Sequence, residues 1–209
     1  MFYTIFLKRV LDLFAALAGL PFFALVFLFV APVIYFTDRG PIFYNAPRLG
    51  YKGKVFKMFK FRSMRVDAPD LRNADGSTFN GEDDPRVTPI GRFLRKSSID
   101  EVPQLLNVLL GDMSLVGPRA HLTTHYHGYE ALDEAAKRRL SVRPGITGYN
   151  QAYYRNSATL EEKFRNDLYY VDHLSCWLDL KILARTFTSV LARRNVYARP
   201  ENSATRKSK

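Results

Sequence analysis

The chain has 209 residues and a formal net charge of +11 at pH 7. It therefore suits one domain of ordinary size, with a surface that attracts polyanions such as nucleic acid, anionic lipid or phosphorylated substrates. Its single cysteine, Cys176, excludes an internal disulfide and fits a reducing compartment. The sequence contains no zinc-finger spacing, nucleic-acid motif, P-loop or dinucleotide fingerprint, so nucleic acid is not a predicted partner.

A long apolar segment, residues 13–36, contains no charged residue and predicts a membrane anchor. As one straight helix it would be about 36 Å long, enough to cross a bilayer, and no small-residue cleavage site follows it. Pro21 lies near its middle, where proline can kink a helix, and basic residues flank both ends. Because positive charge stays cytoplasmic, a re-entrant hairpin suits both flanks and a simple span suits only one, and both remain open. Asp12 is spaced to pair with Lys8 and Arg9 within a helix.

A β-hairpin is predicted next, with residues 42–44 and 55–61 as its arms and a glycine-containing turn at 50–53. In the second arm Lys60 and Arg62 would point to the same face of the strand, which suits either a solvated basic face or a phosphate clamp. The composition then turns to Asp, Asn, Gly and Pro as far as residue 88. This composition predicts a long irregular loop.

Asp100 and Glu101 stand at the start of a predicted helix around which the rest of the chain is arranged. Apolar residues recur at helical spacing after them, and Gly111 is the expected stop. Because proline is tolerated only in a first turn, Asp100 is predicted at or next to the N-cap and Pro103 as the third helical residue. Two carboxylates at the positive end of a helix indicate either an ordinary cap or an ionised pair beside an anion site. The second interpretation gains support from the neighbouring cationic residues, which are Arg86, Arg92, Arg95, Lys96 and Arg119.

Two later segments rich in glycine and proline each carry an arginine. They are residues 111–119, which end in Arg119, and residues 143–148, which begin with Arg143. Such segments can aim backbone N–H groups and a guanidinium at an oxyanion, although each alone is also an ordinary turn.

Two helices are predicted near the C-terminus. Thr159 and Glu162 match a capping box, which opens a helix as far as about His173. Residues 177–191 form an amphipathic pattern whose apolar stripe either belongs to the core or lies in the membrane plane.

Together these residues resemble a family, the bacterial sugar transferases, which are small monotopic phosphoglycosyl transferases of the polyprenyl-phosphate type. The similarity covers residues 8 to 191, and six short motifs in one order make it specific. The motifs are Lys8-Arg9-Val10-Leu11-Asp12, Gly40-Pro41-Ile42-Phe43, Lys60-Phe61-Arg62-Ser63-Met64, Asp100-Glu101-Val102-Pro103-Gln104-Leu105, Gly111-Asp112-Met113-Ser114 with Gly117-Pro118-Arg119, and Arg143-Pro144-Gly145-Ile146-Thr147-Gly148.

The resemblance implies an α+β, mostly helical fold. It describes a monotopic membrane protein with an N-terminal re-entrant helix, a small β-hairpin and amphipathic interface helices. The expected divisions are a re-entrant anchor (1–38), a cytoplasmic catalytic domain (39–194) and a basic tail (195–209) whose composition predicts disorder. The expected location is the bacterial inner membrane, with the catalytic domain on its cytoplasmic face.

The implied reaction moves a sugar 1-phosphate from a UDP-sugar to polyprenyl (undecaprenyl) phosphate and releases UMP, as the first membrane step of surface glycan assembly. Asp100 would be the nucleophile of a covalent aspartyl intermediate and a ligand of Mg²⁺, with Mn²⁺ as an alternative, and Glu101 would complete the catalytic pair. The implied partners are the lipid bilayer and downstream glycosyltransferases, and a homo-oligomer is left open. The implied substrate-binding residues are Lys60, Arg62, Arg95, Arg119, Arg143, Pro144, Gly145 and Arg155.

The sequence departs from the family pattern at two places. The family commonly has Ser-Pro at the break of the membrane helix, where the spacing from Asp12 puts Ala24-Leu25, so Pro21 is the predicted break. Ala120 stands where a proline usually follows Gly-Pro-Arg. The competing class is a non-enzymatic, membrane-anchored basic protein that binds anionic lipid or nucleic acid, and it leaves Asp100 and Glu101 without a purpose.

Overall fold

The longest element is the apolar helix α1 (Lys8–Asp38), which follows a π-helical turn (Tyr3–Leu7). Within the described part of the chain, it is the one helix long and apolar enough to cross a membrane. The structure is a computed structural model and describes residues 3–71, 79, 81, 83–123, 126–154 and 157–191. The predicted tail and Arg155 lie outside the described residues.

Helices predominate over strands, which confirms the expected α+β, mostly helical class. The helices after α1 are α2 (Pro89–Ser97), α3 (Gln104–Leu110), α4 (Glu134–Arg139), α5 (Tyr149–Tyr153), α6 (Leu160–Asp172) and α7 (Cys176–Leu191). The strands are β1 (Ala46–Leu49), β2 (Val55–Met58), β3 (Ser114–Val116), β4 (His121–Leu122) and β5 (Gly145–Thr147). The predicted capping box is confirmed, because the side chain of Thr159 accepts from Glu162 N and the side chain of Glu162 accepts from Thr159 N.

The strands form two small sheets. In the first, β1 pairs antiparallel with both β2 and β4, and in the second β3 runs parallel to β5. The β-hairpin is thus confirmed, but its first arm begins at Ala46 and not at residue 42. Residues 42–44 contribute a single bridge, between Phe43 and Phe61. Beyond Met58 the pairing of the two arms is therefore limited to this one bridge. Lys60 lies in an extended segment just outside the regular strand.

One face of α1 packs against the rest of the protein from end to end. Asp12 and Ala16 are buried near its start, and Ala31 and Ile34 are buried near its end. Between them, the aromatic rings of α1 join the cluster around Phe61. The opposite face is apolar and exposed, and its large side chains include Phe14, Leu17, Phe22, Leu25, Leu28, Phe29 and Phe36.

Pro21 lies inside α1 and does not interrupt it, and the same is true of Pro32. A proline removes one backbone hydrogen bond and can bend a helix without ending it. The role of Pro21 as the turning point of a re-entrant helix therefore stays a prediction about the protein in a bilayer.

The charged residues at the start of α1 bind other elements, contrary to the expected pairing within the helix. Lys8 Nζ lies 2.6 Å from Asp179 Oδ2, on α7. Asp12 Oδ1 accepts from Leu115 N at 3.0 Å, and Arg9 donates to two backbone carbonyl groups near the end of α3. Since this face of α1 is turned inward, the buried charges take partners from the elements that cover them.

The apolar stripe of α7 faces outward, so its interpretation as core is wrong. Leu180, Leu183 and Phe187 are exposed, whereas Asp179 and Ile182 on the other side of the helix are buried. The predicted helical spacing of the apolar residues is correct, but these residues form an exposed apolar surface of the kind that a membrane or another molecule covers.

Candidate active site

The two predicted catalytic carboxylates lie on a 3₁₀ turn (Ile99–Glu101) between α2 and α3. The expectation that Asp100 lies at or next to the N-cap of the central helix, with Pro103 as its third residue, is wrong, because α3 begins at Gln104 with Pro103 at its N-cap. Pro103 has no N–H to donate to the carbonyl of residue 99, so the α-helical pattern starts only after it. Gly111 does end α3, in a left-handed conformation with φ of 90° that favours glycine.

Lys60 bridges the carboxylate pair. Its Nζ lies 2.9 Å from Asp100 Oδ2 and 3.2 Å from Glu101 Oε1. The backbone holds the two segments together as well, because Phe61 N donates to Asp100 O at 2.9 Å. Asp100 is buried, with 3% of its surface exposed, so the neighbouring protein groups shield its carboxylate from bulk water.

Arg119 completes the cluster from the other side, and its Nη2 lies 3.0 Å from Glu101 Oε1. Its segment is positioned by the β3–β5 pairing, in which the backbones approach so closely that a Cβ on Gly117 would lie 2.4 Å from Arg143 O. The backbone carbonyl of Arg119 accepts from Arg139 at 2.6 Å. Arg139 is itself fixed by a buried ion pair with Asp167.

The pKa values of the two carboxyl groups are shifted in opposite directions. Burial raises the pKa of Asp100, an effect that the charge of Glu101 adds to and that Lys60 and Arg95 only partly offset. Burial also acts to raise the pKa of Glu101, but Lys60 and Arg119 outweigh it and hold that pKa below its usual value. Glu101 is therefore the firmly ionised member, and Asp100 is the more basic one.

The structure brings Lys60, Asp100, Glu101 and Arg119 together as predicted for one site, whereas Arg62 has a different partner. Its guanidinium forms a bidentate pair with Asp38 at the end of α1, and it also donates to Pro41 O. The expectation that Lys60 and Arg62 share one binding face is thus not met, because Lys60 pairs with the catalytic carboxylates and Arg62 pairs with Asp38. In this structure, Arg62 fastens α1 to the segment beside the site.

Of the remaining predicted substrate-binding residues, Arg95 acts on Asp100, whereas the contacts of Arg143, Pro144 and Gly145 are with other segments. Arg95 donates to Ser63 Oγ at 2.9 Å and acts electrostatically on Asp100. Arg143 donates to Gly111 O and stacks over the ring of Tyr51. Pro144 and Gly145 hold β3 through backbone hydrogen bonds. Arg155 lies outside the described residues.

Asn107 supports the site, and the sequence analysis did not single it out. Its side chain accepts from Phe59 N and donates to Lys57 O, both at 2.8 Å, so it ties the segment before Lys60 to α3. The residue is fully buried. In the sequence, the signal for this residue is a polar side chain on the inward face of a short, largely apolar helix.

The carboxylate pair could hold a metal ion. Among the described residues no group of three or more His, Cys, Asp or Glu side chains forms a metal site. Two adjacent carboxylates suit a hard cation such as Mg²⁺ that takes its other ligands from substrate phosphates and water. The donor set therefore fits Mg²⁺ bound together with a phosphorylated substrate.

A buried carboxylate pair flanked by cations lies beside a long, exposed apolar helix, a combination suited to an enzyme at a membrane surface. Comparison with known proteins identifies the class further. The sequence model described as bacterial sugar transferase matches residues 3–193, so the chain belongs to the bacterial sugar transferase family.

Several relatives are similar over most of this chain. Galactosyl transferase CpsE of Streptococcus agalactiae serotype III is 44% identical over 88% of this chain, which spans 42% of that protein. A sugar transferase of Bacillus subtilis, EpsL, is also 44% identical over 88% of this chain, and the match spans 87% of that relative. A UDP-glucose:undecaprenyl-phosphate glucose-1-phosphate transferase of Caulobacter vibrioides is 42% identical over 91% of this chain and 72% of its own length.

Proposed function

We propose that this protein transfers a sugar 1-phosphate from a UDP-sugar to polyprenyl phosphate and releases UMP. The observation that carries the proposal is the Asp100–Glu101 pair, held between Lys60 and Arg119 in a member of the bacterial sugar transferase family. The substrates are those named for the Caulobacter relative. The non-enzymatic alternative gives this pair no role, and we do not retain it.

The proposed chemistry has two displacements at the phosphorus that carries the sugar. An oxygen of Asp100 bonds to this phosphorus, and the bond to the bridging oxygen breaks with its electrons leaving on UMP. A phosphate oxygen of polyprenyl phosphate then bonds to the same phosphorus, and the electrons of the breaking acyl-phosphate bond return to Asp100. The covalent intermediate lets a water-soluble donor and a lipid acceptor use one site in turn.

The surroundings of each carboxylate support these roles. Burial raises the pKa of Asp100 and limits the access of water, which would otherwise compete with the lipid acceptor. Lys60 and Arg119 orient the pair, and their positive charges are suited to offset the negative charge that develops on phosphoryl oxygens. Mg²⁺, when bound, would neutralise the charge of the diphosphate, with Asp100 as its protein ligand.

We further propose that α1 is a re-entrant anchor that turns near Pro21, with both ends at the cytoplasmic face of the inner membrane. The ends of α1 contact the same domain, through Asp12 to Leu115 at one end and through Asp38 to Arg62 at the other. Because the helix makes both contacts, a span that put its two ends on opposite sides of a bilayer would break one of them. The exposed apolar stripe of α7 would then lie at the same surface.

The test of the reaction uses Asp100→Asn in the full-length protein. Wild type should gain the mass of a phospho-sugar when UDP-sugar and Mg²⁺ are supplied without polyprenyl phosphate, and Asp100→Asn should gain none and release no UMP. The matched control is Asp172→Asn on α6, which breaks a largely exposed ion pair with Arg138 and should not affect turnover.

Steady-state kinetics provide a second, independent result. Double-reciprocal plots for UDP-sugar and polyprenyl phosphate should be parallel, as two successive displacements require. Intersecting lines, with no donor-dependent adduct on wild type, would mean direct attack by the lipid phosphate. A panel of UDP-sugars, beginning with the glucose and galactose forms that the relatives' names suggest, then identifies the sugar.

A further inference from the structure

Lys60 contacts both carboxylates that would hold a metal ion. Its ammonium contacts Asp100 Oδ2 at 2.9 Å and Glu101 Oε1 at 3.2 Å, so it lies between the two carboxylates. Among the described residues, it is the one cation within ion-pair distance of Asp100. The lysine side chain is largely enclosed, with 20% of its surface exposed.

The backbone fixes Lys60 in this position. Tyr44 N donates to Lys60 O at 2.8 Å, Phe61 N donates to Asp100 O at 2.9 Å, and Asn107 holds Phe59 N. Hydrogen bonds thus hold the chain on both sides of Lys60 and at its own carbonyl. Only the flexible side chain can move away from the carboxylates, by rotation about its own bonds.

The positive charges of the cluster already match or exceed its negative charges without a metal ion. Two carboxylates face Lys60 and Arg119, and the charge of Arg95 also acts on Asp100. A divalent cation entering this cluster alone would be repelled by the nearby positive charges. A diphosphate entering with it would supply the negative charge that the added cation balances.

We propose that Lys60 is a displaceable internal cation, so that the divalent metal binds Asp100 together with the diphosphate of the donor and not before it. The ammonium moves from Asp100 to a phosphate oxygen of the incoming donor, and the metal takes the vacated carboxylate oxygen. This inference rests on the proposed function, since it takes the carboxylate pair as the metal-binding group.

The test measures metal affinity without turnover, from the electron paramagnetic resonance signal of free Mn²⁺ in titrations of the full-length protein. Lys60→Met keeps the length of the side chain and removes its charge. Without nucleotide, this variant should bind Mn²⁺ at least roughly tenfold more tightly than wild type, because a repelling charge next to the ion is gone. Addition of UDP should strengthen Mn²⁺ binding by wild type much more than by Lys60→Met.

Two variants complete the comparison. Lys54→Met removes a charge from an exposed ion pair with Asp112 and should bind Mn²⁺ as wild type does. Lys60→Arg keeps the charge and should bind Mn²⁺ weakly without nucleotide, so it provides a result that does not depend on how well Lys60→Met folds.

Equal Mn²⁺ affinity of wild type, Lys60→Met and Lys60→Arg without nucleotide would overturn the inference. A wild-type protein that binds Mn²⁺ tightly without UDP would overturn it as well. These outcomes leave the proposed reaction intact if the phospho-sugar adduct forms on Asp100. If the adduct is absent while Lys60→Met still gains Mn²⁺ affinity, the reaction is wrong and the competition between lysine and metal stands.

Discussion

Adjacent residues of one turn have different surroundings, because their side chains differ in burial and in the cations that they contact. Asp100 is buried and contacts one cation, whereas Glu101 contacts both Lys60 and Arg119. The turn follows Ser98, which adopts a left-handed conformation with φ of 59° and ends α2. Because the chain changes direction at Ser98, the two carboxylates lie on a short turn and not in a regular helix, and both contact the cations.

Glu101→Gln should lower the rate of UMP release by about 100-fold or more while the protein still folds. The amide keeps the shape of the carboxyl group, but it no longer balances Lys60 and Arg119, so both cations lose the group that orients them. The measurement is UMP release with circular dichroism as the check on folding. Glu134→Gln, at an exposed position on α4, is the control, and a similar rate for both variants would contradict the role of Glu101.

The loop after the hairpin contains a buried ion pair that organises its described residues. Arg86 binds Asp84 and also donates to Pro69 O and Phe79 O, and both charged side chains are buried. Burial acts to raise the pKa of Asp84, but hydrogen bonds from Arg86 outweigh it, so the pKa is lowered. A lowered folded-state pKa means that the carboxylate stabilises the protein above the unfolded-state pKa and stops doing so as the pH falls.

Asp84→Asn should lower the free energy of unfolding by about 3–5 kcal/mol at pH 7, because it leaves Arg86 buried without its charge partner. The difference from wild type should shrink as the pH falls below the unfolded-state pKa of about 3.9 and on through the lower pKa of the folded state. Thermal unfolding at pH 7 and at acid pH checks both statements. The control is Asp83→Asn at the neighbouring exposed position, and a loss that did not depend on pH would contradict the electrostatic explanation.

A second buried cluster joins the N-terminal segment to α7. Asp179 accepts from Tyr3, Lys8 and Tyr170, which lie in three separate elements. Lys8 and Asp179 are nearly enclosed, with exposed side-chain fractions of 12% and 7%. The start of α1 is therefore fastened to the last helix of the described chain.

Asp179→Asn should lower the free energy of unfolding by about 3–5 kcal/mol, because Lys8 would remain enclosed without a countercharge. Asp172→Asn breaks an ion pair of α6 with Arg138 that is largely exposed, and it should cost less than about 1 kcal/mol. Thermal unfolding of the two variants in the same detergent provides the comparison. Equal losses would show that the cluster at Asp179 does not hold the protein together.

The sequence predicted the elements whose signals are local. The capping box at Thr159 and the glycine stop at Gly111 involve residues within one turn, so both ends were found. The start of α3 was missed, because the 3₁₀ turn before Pro103 depends on how α2 ends. The partner of Arg62 was also missed, since Asp38 is 24 residues away and only the tertiary fold brings it close.

Two apolar surfaces of the whole molecule have no protein partner among the described residues. One is the outer face of α1, and the other is the stripe of α7 with Trp177, Leu180 and Phe187. On α7, the basic Lys181 lies over the ring of Trp177, an arrangement suited to the boundary between lipid tails and head groups. A bilayer that covers both surfaces accounts for their exposure.

The topology of the whole molecule gives the last prediction. A thiol introduced by Thr4→Cys, in a protein with Cys176→Ser, should be modified by a membrane-impermeant reagent only after the cytoplasmic side is opened. The reason is that Lys8 and Asp38, near opposite ends of α1, bind the same domain and cannot do so from two sides of a bilayer. Pro21→Ala in this background restores a backbone hydrogen bond and should increase the fraction modified from outside. Modification of the parent from outside would establish a full span, and an unchanged pattern and activity in Pro21→Ala would exclude Pro21 as the turning point.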